Sequence, residues 1–172
     1  MSTSPKGRLA LVAVREFGSR PFEDVTVGKL AAEAGVTTGA LYHHFESKLG
    51  LYLFVRRDVE RRLLDRMEGA AGAAPRKSEA SKVALLVGFD FAVRSDFQRL
   101  LGEPPAGAED DPLVDFLAAQ VTPPSRPVGL IVGAAWRAAL LAVADGAPPD
   151  QARNALRSLA FRGEDSSPGT AE

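Results

Sequence analysis

Val36-Thr37-Thr38-Gly39-Ala40-Leu41-Tyr42-His43-His44-Phe45-Glu46-Ser47-Lys48 decides how this chain reads. The stretch gathers both histidines of the chain, two threonines, a tyrosine and a lysine around one short helix. Leu41 and Phe45 are four apart and share a helix face. Thr38, Gly39, Tyr42 and His43 therefore project elsewhere. Just upstream, residues 26–34 predict another short helix, and Gly35 permits the left-handed backbone that ends it. Val36 then plugs the angle between the two helices, and Thr37 or Thr38 caps the second by accepting a hydrogen bond from its free N–H groups. The product is helix, tight turn, helix, with Leu30, Ala31 and Val36 facing Leu41 and Phe45. A helix-turn-helix presents the other face of its second helix to the major groove of DNA.

Thr26, Leu30, Ala31, Ala34, Gly35, Val36, Thr37, Gly39, Leu41, Tyr42, His44, Phe45, Ser47 and Lys48 fall at a nearly ungapped spacing. In that spacing residues 8–68 resemble the TetR family of bacterial transcriptional regulators. The chain departs from the family pattern at Leu49-Gly50, where an acidic residue usually follows the lysine. With Ser47 as N-cap, Gly50 holds the place where Glu would complete a capping box. A soft start to the fourth helix is the expectation, and Gly50→Glu is expected to stiffen it. Gly28 is a second weak point, because Gly costs roughly 1 kcal/mol against Ala in a helix interior.

A chain of 172 residues suits one or two small domains with a real core. The absence of Cys excludes disulfide scaffolds, thiolate metal sites and thiol catalysis. The apolar run 128–144 is interrupted by Arg137 and is shorter than the roughly 20 residues of an untilted membrane span. The polar start carries no signal-peptide pattern, so a soluble cytoplasmic protein is expected. Net charge is −1, but residues 1–57 hold eight Lys and Arg against five acids, leaving thirteen against seventeen for the rest. A mildly basic head on an acidic body fits a DNA reader whose binding weakens with salt.

Ser4-Pro5 predicts a helix start; Leu9, Val12, Ala13 and Phe17 trace its apolar face, and Gly18 is a plausible stop. A long fourth helix carries Tyr52, Val55, Val59 and Leu63 to about Glu68, with Arg56, Arg57, Arg61 and Arg62 forming a solvated, salt-bridged face. Gly69 to Lys77 reads as a loop. Beyond it one helix is expected from Ser78 or Ser81 to about Leu101, then Pro112–Gln120, Pro127–Ala144 and Asp150–Phe161. No strand pattern appears. The expected fold is all-α: a three-helix helix-turn-helix domain over 1–48, a connecting helix over 49–68, a helical ligand-binding and dimerisation domain over 78–162, and a disordered tail over 163–172. Gly129 and Gly133, with Ala152, Ala155, Leu156, Leu159 and Ala160, suggest faces for a four-helix dimer interface, where the family also dimerises; the alternative is that they serve the chain's own core.

By the resemblance, Tyr42, His44 and Lys48 are assigned to the DNA backbone, where Lys48 adds charge at a helix start. Thr26 caps the second helix and can also offer its hydroxyl to a phosphate. Lys29 belongs with this DNA-facing set. Thr37, Thr38, Gly39 and His43 are candidates for base edges, although Thr is an ambiguous reader. Adjacent residues of a helix point about 100° apart, so His43 and His44 do not make a metal site, and no cofactor is expected. Phe89, Arg94, Trp136 and Arg137 are the candidates to line an effector pocket, aromatic walls with a few polar groups being what a small molecule needs; ordinary core is the alternative. Asp90 and Arg94, spaced i, i+4, could pair.

These features predict a homodimeric regulator, a repressor released from a palindromic double-stranded operator by a small-molecule effector. A DNA-binding dimer without such an effector, an activator or one gated by another protein, is the alternative. An enzyme would need a base or nucleophile in a cleft, and both histidines lie in the DNA-reading helix.

Overall fold

The computed structural model describes residues 4–105 and 110–159; the predicted tail over 163–172 lies outside them. The described residues are helical throughout, with no strand. In chain order they form α1 (Pro5–Ser19), a 3-10 turn (Phe22–Asp24), α2 (Val27–Glu33), α3 (Thr38–Phe45), α4 (Lys48–Gly72), a second 3-10 turn (Lys77–Glu79), α5 (Ala80–Arg94), α6 (Gln98–Gly102), α7 (Pro112–Ala119), α8 (Arg126–Ala144) and α9 (Pro149–Leu159).

Short polar side chains start the first four helices. Ser4, Thr26, Thr37 and Ser47 each accept a hydrogen bond from the backbone N–H three residues on, satisfying donors a helix start otherwise leaves bare. Gly35, at φ +62°, ends α2: its N–H donates to Ala32 and the Val36 N–H to Ala31, the paired bonds of a Schellman stop. Leu9, Phe17, Val25, Leu30, Leu41, Leu51 and Tyr52 fill the core of this N-terminal bundle, with the Phe17, Phe22 and Tyr52 rings in mutual contact.

Five helices depart from the sequence expectation. α4 does not stop near Glu68 but continues through the small residues Gly69 to Gly72. The helix expected to reach Leu101 unbroken ends at Arg94, because Asp96 adopts φ +57° and the N–H groups of Asp96 and Phe97 return to Val93 and Ala92. That is the same Schellman stop without its glycine, and Phe97 drops into the core behind it. Gly18 does not end α1, which runs through Ser19; a Cβ on it would stand 2.2 Å from the Asp96 carbonyl oxygen. α1 thus meets the α5–α6 turn backbone to backbone. Gly129 and Gly133 face α7 rather than a second chain, a Cβ on Gly129 falling 2.4 Å from the Val114 carbonyl oxygen. Ala152 and Leu156 of α9 are likewise buried within the chain, while Ala155 is exposed; the Leu159 side chain and Ala160 lie outside what is described.

The C-terminal bundle is packed around Trp136, which is fully buried and donates its indole N–H to the Leu85 carbonyl at 3.1 Å. α8 leaves a different face open: Leu130 and Ile131 are 51% and 70% exposed, and Ala134, Ala138 and Ala142 continue the stripe. By length and composition α8 could cross a membrane, yet its opposite face is committed to the chain's own core through Gly129, Gly133 and Trp136.

Candidate nucleic-acid interface

α2 and α3 form the two arms of the helix-turn-helix, and α3 is the outer one. Thr37, Thr38, Gly39, Tyr42 and His43 are exposed on it, while Leu41 and Phe45 are buried beneath. Tyr42 is 53% exposed, a large ring held in solvent by a helix that gives it no intrachain pocket. His44 is half-buried, its ring 5.0 Å from that of His43. Thr26 is exposed at the α2 start, its hydroxyl accepting from the Lys29 N–H at 3.3 Å. The Thr37 hydroxyl accepts from Ala40 at 3.2 Å, so both threonines keep a hydroxyl proton free to donate outward. The N-termini of both helices and one face of α3 therefore offer donors and partial positive charge on one side of the domain.

The two lysines assigned to DNA sit differently. The Lys48 ammonium donates to the carbonyls of Phe22 and Val25 at 2.8 and 2.9 Å and lies 4.0 Å from the Phe22 ring centroid. Two of its three donors are spent tying α4 to the α1–α2 connection. Lys29 pairs with Glu16 at 2.6 Å and with Glu33 at 3.6 Å. Glu16 is buried and also neighbours Arg15 and Arg20. Both lysines thus brace the domain, each ammonium meeting acceptors on an element other than its own. Arg8, absent from the sequence-derived set, is another brace, its Nε donating to the Ala34 carbonyl at 2.9 Å.

The turn from α3 to α4 corrects the expectation about Gly50. Glu46 takes φ +65°, which swings the Phe45 carbonyl over the first turn of α4. A Cβ on Gly50 would lie 2.0 Å from that oxygen. Glycine is required there, and Gly50→Glu cannot stiffen the joint.

Arg56 corrects the expectation of a solvated arginine face. It is 2% exposed. Its guanidinium donates to the Tyr52 hydroxyl at 2.9 Å and to the carbonyls of Leu100 and Glu103 at 2.5 and 2.7 Å, with Glu60 3.6 Å away. Arg61 and Arg62 do share the exposed Asp58 in solvent.

The four pocket candidates separate. Phe89 and Arg94 line a recess of about 370 Å³ between α5 and α9, where Arg153, not Arg94, pairs with Asp90 at 2.8 Å. Trp136 is interior, and Arg137 grips Asp111 through two bonds of 2.7 and 2.9 Å. Asp111 also caps α7. Burial alone would raise the Asp111 pKa, but the hydrogen bonds and charge of Arg137 hold it below the ordinary aspartate range. Burial raises that of Glu60, against the pull of Arg56.

The two shifts act oppositely on stability. A depressed Asp111 contributes stability above its unfolded pKa that is lost as pH falls through the folded value. A raised Glu60 favours the folded state while protonated, and that contribution disappears as pH rises through its folded value. Asp111→Asn is expected to cost about 2–3 kcal/mol at pH 7 and to flatten the acid limb of a urea-denaturation series, whereas Glu60→Gln flattens the decline on the other side. Identical pH profiles for both variants would contradict these assignments.

Comparison with known proteins bears on the N-terminal bundle first. Residues 11–55 match the family described as bacterial regulatory proteins, tetR family. Over that stretch the N-terminal bundle is similar to TetR-family regulators. The chain is 33% identical over 81 residues to the HTH-type transcriptional regulator BetI of Escherichia coli strain K12, a match covering 47% of the chain and 40% of BetI. The chain spans less than half the length of the curated relatives it matches. Solved structures share the fold over nine tenths or more of the chain. The fatty acid degradation regulator FadR of Bacillus halodurans superimposes with a TM-score of 0.72 at 11% identity, covering 96% of this chain and 98% of that one. AibR in complex with isovaleryl coenzyme A and operator DNA gives 0.68 at 14%, covering 92% and 98%. A TetR-family regulator of Pectobacterium atrosepticum gives 0.67 at 19%, covering 90% and 89%.

Proposed function

We propose that the protein is a homodimeric transcriptional regulator that represses from a palindromic operator in the cytoplasm and is released by a small-molecule effector. The exposed face of α3 carries the reading: Thr37, Thr38, Gly39 and His43 meet base edges, while Tyr42, His44 and the hydroxyl of Thr26 meet phosphates. Lys29 and Lys48 act at this interface mainly by setting the angle of α2 and α4. One helix-turn-helix reads only a few base pairs, so a two-fold pair spaced by one DNA turn supplies specificity. The open stripe of Leu130, Ile131, Ala134, Ala138 and Ala142 on α8 supports pairing, since an apolar face of that kind is normally covered. No catalytic role enters this reading.

Release requires an effector with differential affinity for a conformation in which the two α3 helices are misplaced, typically by about 1 to 3 kcal/mol. The recess at Phe89 and Arg94 is one candidate seat. The cluster around Arg137 and Asp111, beside Glu60, is another. AibR binds isovaleryl coenzyme A, which makes short acyl thioesters a sensible first screen. The second reading, a dimer gated by a protein instead, is favoured by the filled centre around Trp136.

Selection of bound sequences from a random DNA pool tests the proposal. Enrichment of a palindrome is expected, with Tyr42→Ala weakening binding about equally across sequences, as for removal of a phosphate contact. Ile131→Glu is expected to give monomers by sedimentation and to lose the palindrome. An unstructured pool, or full operator binding by both variants, would refute the reading.

A further inference from the structure

A groove of about 1200 Å³ runs between α1 and α4, with the end of α3 at its edge. Its walls are two helical stripes without a partner: Gly7, Ala10, Leu11 and Val14 on α1, and Leu53, Phe54, Arg57 and Arg61 on α4. Each repeats at three and four residues, the spacing with which a helix presents one face to another helix. Leu11 and Phe54 are 60% and 44% exposed. The small residues Gly7 and Ala10 of α1 leave room for a close approach.

The rim is basic. Lys6 and Arg57 have no acidic partner among the described residues, and Arg61 and Arg62 share the single carboxylate of Asp58. The Lys6 ammonium rests over aromatic rings, 5.0 Å from the Phe54 centroid and 5.8 Å from that of Phe45. With Glu46 the other acid along the groove, cations outnumber acids.

We propose that this groove docks an amphipathic, acid-flanked helix of a partner protein. The apolar ridge of that helix would lie on Leu11, Val14, Leu53 and Phe54, with its Asp or Glu residues reaching Lys6 and Arg57. α1, 15 residues and about 22 Å long, sets the span at some four helical turns. Chemistry disfavours other occupants. A second copy would bring four cations against the same four. A small molecule would keep much of its surface in water, whereas such sites commonly bury 70–90% of the ligand. A membrane surface is flat and cannot enter a concave seam. Because His44, Phe45 and Glu46 of the recognition helix and its following turn line one end, a docked helix touches the DNA-reading element directly.

The test is selection from a phage-displayed library of helical peptides against the full chain, with the Leu11→Glu variant as counter-selection. Enriched peptides are expected to carry apolar residues at i, i+3, i+4 and i+7 flanked by Asp or Glu. Their binding, read by fluorescence anisotropy, should fall about tenfold or more on Leu11→Glu or Phe54→Ser, as for loss of a central anchor. Arg57→Glu should shift preference to the same peptides with Lys in place of Glu. Both apolar positions are exposed, so unchanged thermal unfolding and operator binding would confirm that the variants fold. No enrichment, or peptides indifferent to these substitutions, would overturn the proposal. So would binding to phosphatidylglycerol vesicles that the same substitutions abolish, or a change in sedimentation mass on Leu11→Glu, which would assign the groove to a lipid surface or a second copy.

Discussion

Replacing Gly50 with alanine is expected to lower the unfolding free energy by about 3 kcal/mol and to weaken operator binding with it. The added methyl would stand 2.0 Å from the Phe45 carbonyl oxygen, and a backbone carbonyl at the end of a helix cannot rotate away as a flexible side chain would. Relief requires α3 and α4 to separate. That tilts the face carrying Thr38, Tyr42 and His43 relative to the rest of the chain, so stability and DNA affinity fall together. Gly28→Ala is the matched control. Nothing lies within 4 Å of its would-be Cβ, and it sits near the start of α2 with ordinary helical backbone. It should stabilise by about 0.5–1 kcal/mol through lost freedom in the unfolded chain. Urea denaturation and an operator titration of the two variants decide the matter. Equal effects at the two glycines would mean that helix propensity, not the Phe45 carbonyl, governs both.

Arg56→Ala is expected to have the larger effect on stability alone, about 3–5 kcal/mol. Removing the guanidinium leaves the Tyr52 hydroxyl and the carbonyls of Leu100 and Glu103 without their shared donor, and the Glu60 carboxylate without its neighbouring cation, in a water-poor interior. Arg56→Lys should rescue little, because one ammonium cannot reproduce a planar fork that reaches three acceptors on two elements. Amide exchange should accelerate across α6 before the N-terminal bundle, since Arg56 closes off the carbonyls at the α6 end. A loss under about 1 kcal/mol would show that water replaces the arginine without strain.

The N-terminal bundle was legible because its signals are local. Ser4, Thr26, Thr37 and Ser47 announce helix starts, Gly35 announces a stop, and Leu41 with Phe45 fixes which side of α3 faces inward. What escaped depends on contacts far apart in sequence. Gly50 reads as a weak helix residue until Glu46 is seen to turn the Phe45 carbonyl onto it. Asp96 carries no glycine to mark its left-handed backbone. Arg56 sits among other arginines and looks like surface, although Tyr52, Arg56 and Glu60 repeat at four residues beside Val55 and Val59, a pattern that already places it next to the apolar stripe. Composition marks Phe89, Arg94, Trp136 and Arg137 alike and cannot tell that Trp136 fills the centre while Arg94 lines a recess on another side. Lys29 and Lys48 show the same limit: a lysine near DNA-facing residues can be a strut.

Arg56 also divides α4 into unequal arms. Eight residues, about 12 Å, separate it from Lys48 at the DNA end, and sixteen, about 24 Å, from Gly72 at the far end. Were α4 to turn as a rigid rod about this anchor, it would be a two-to-one lever whose short arm carries α3. A displacement at Gly72 would then reach α3 halved and reversed. In a dimer whose reading helices are spaced by one DNA turn of about 34 Å, anything acting on the far end would then have to travel twice as far as the error it creates, a geometry tolerant of small jolts and responsive only to large ones.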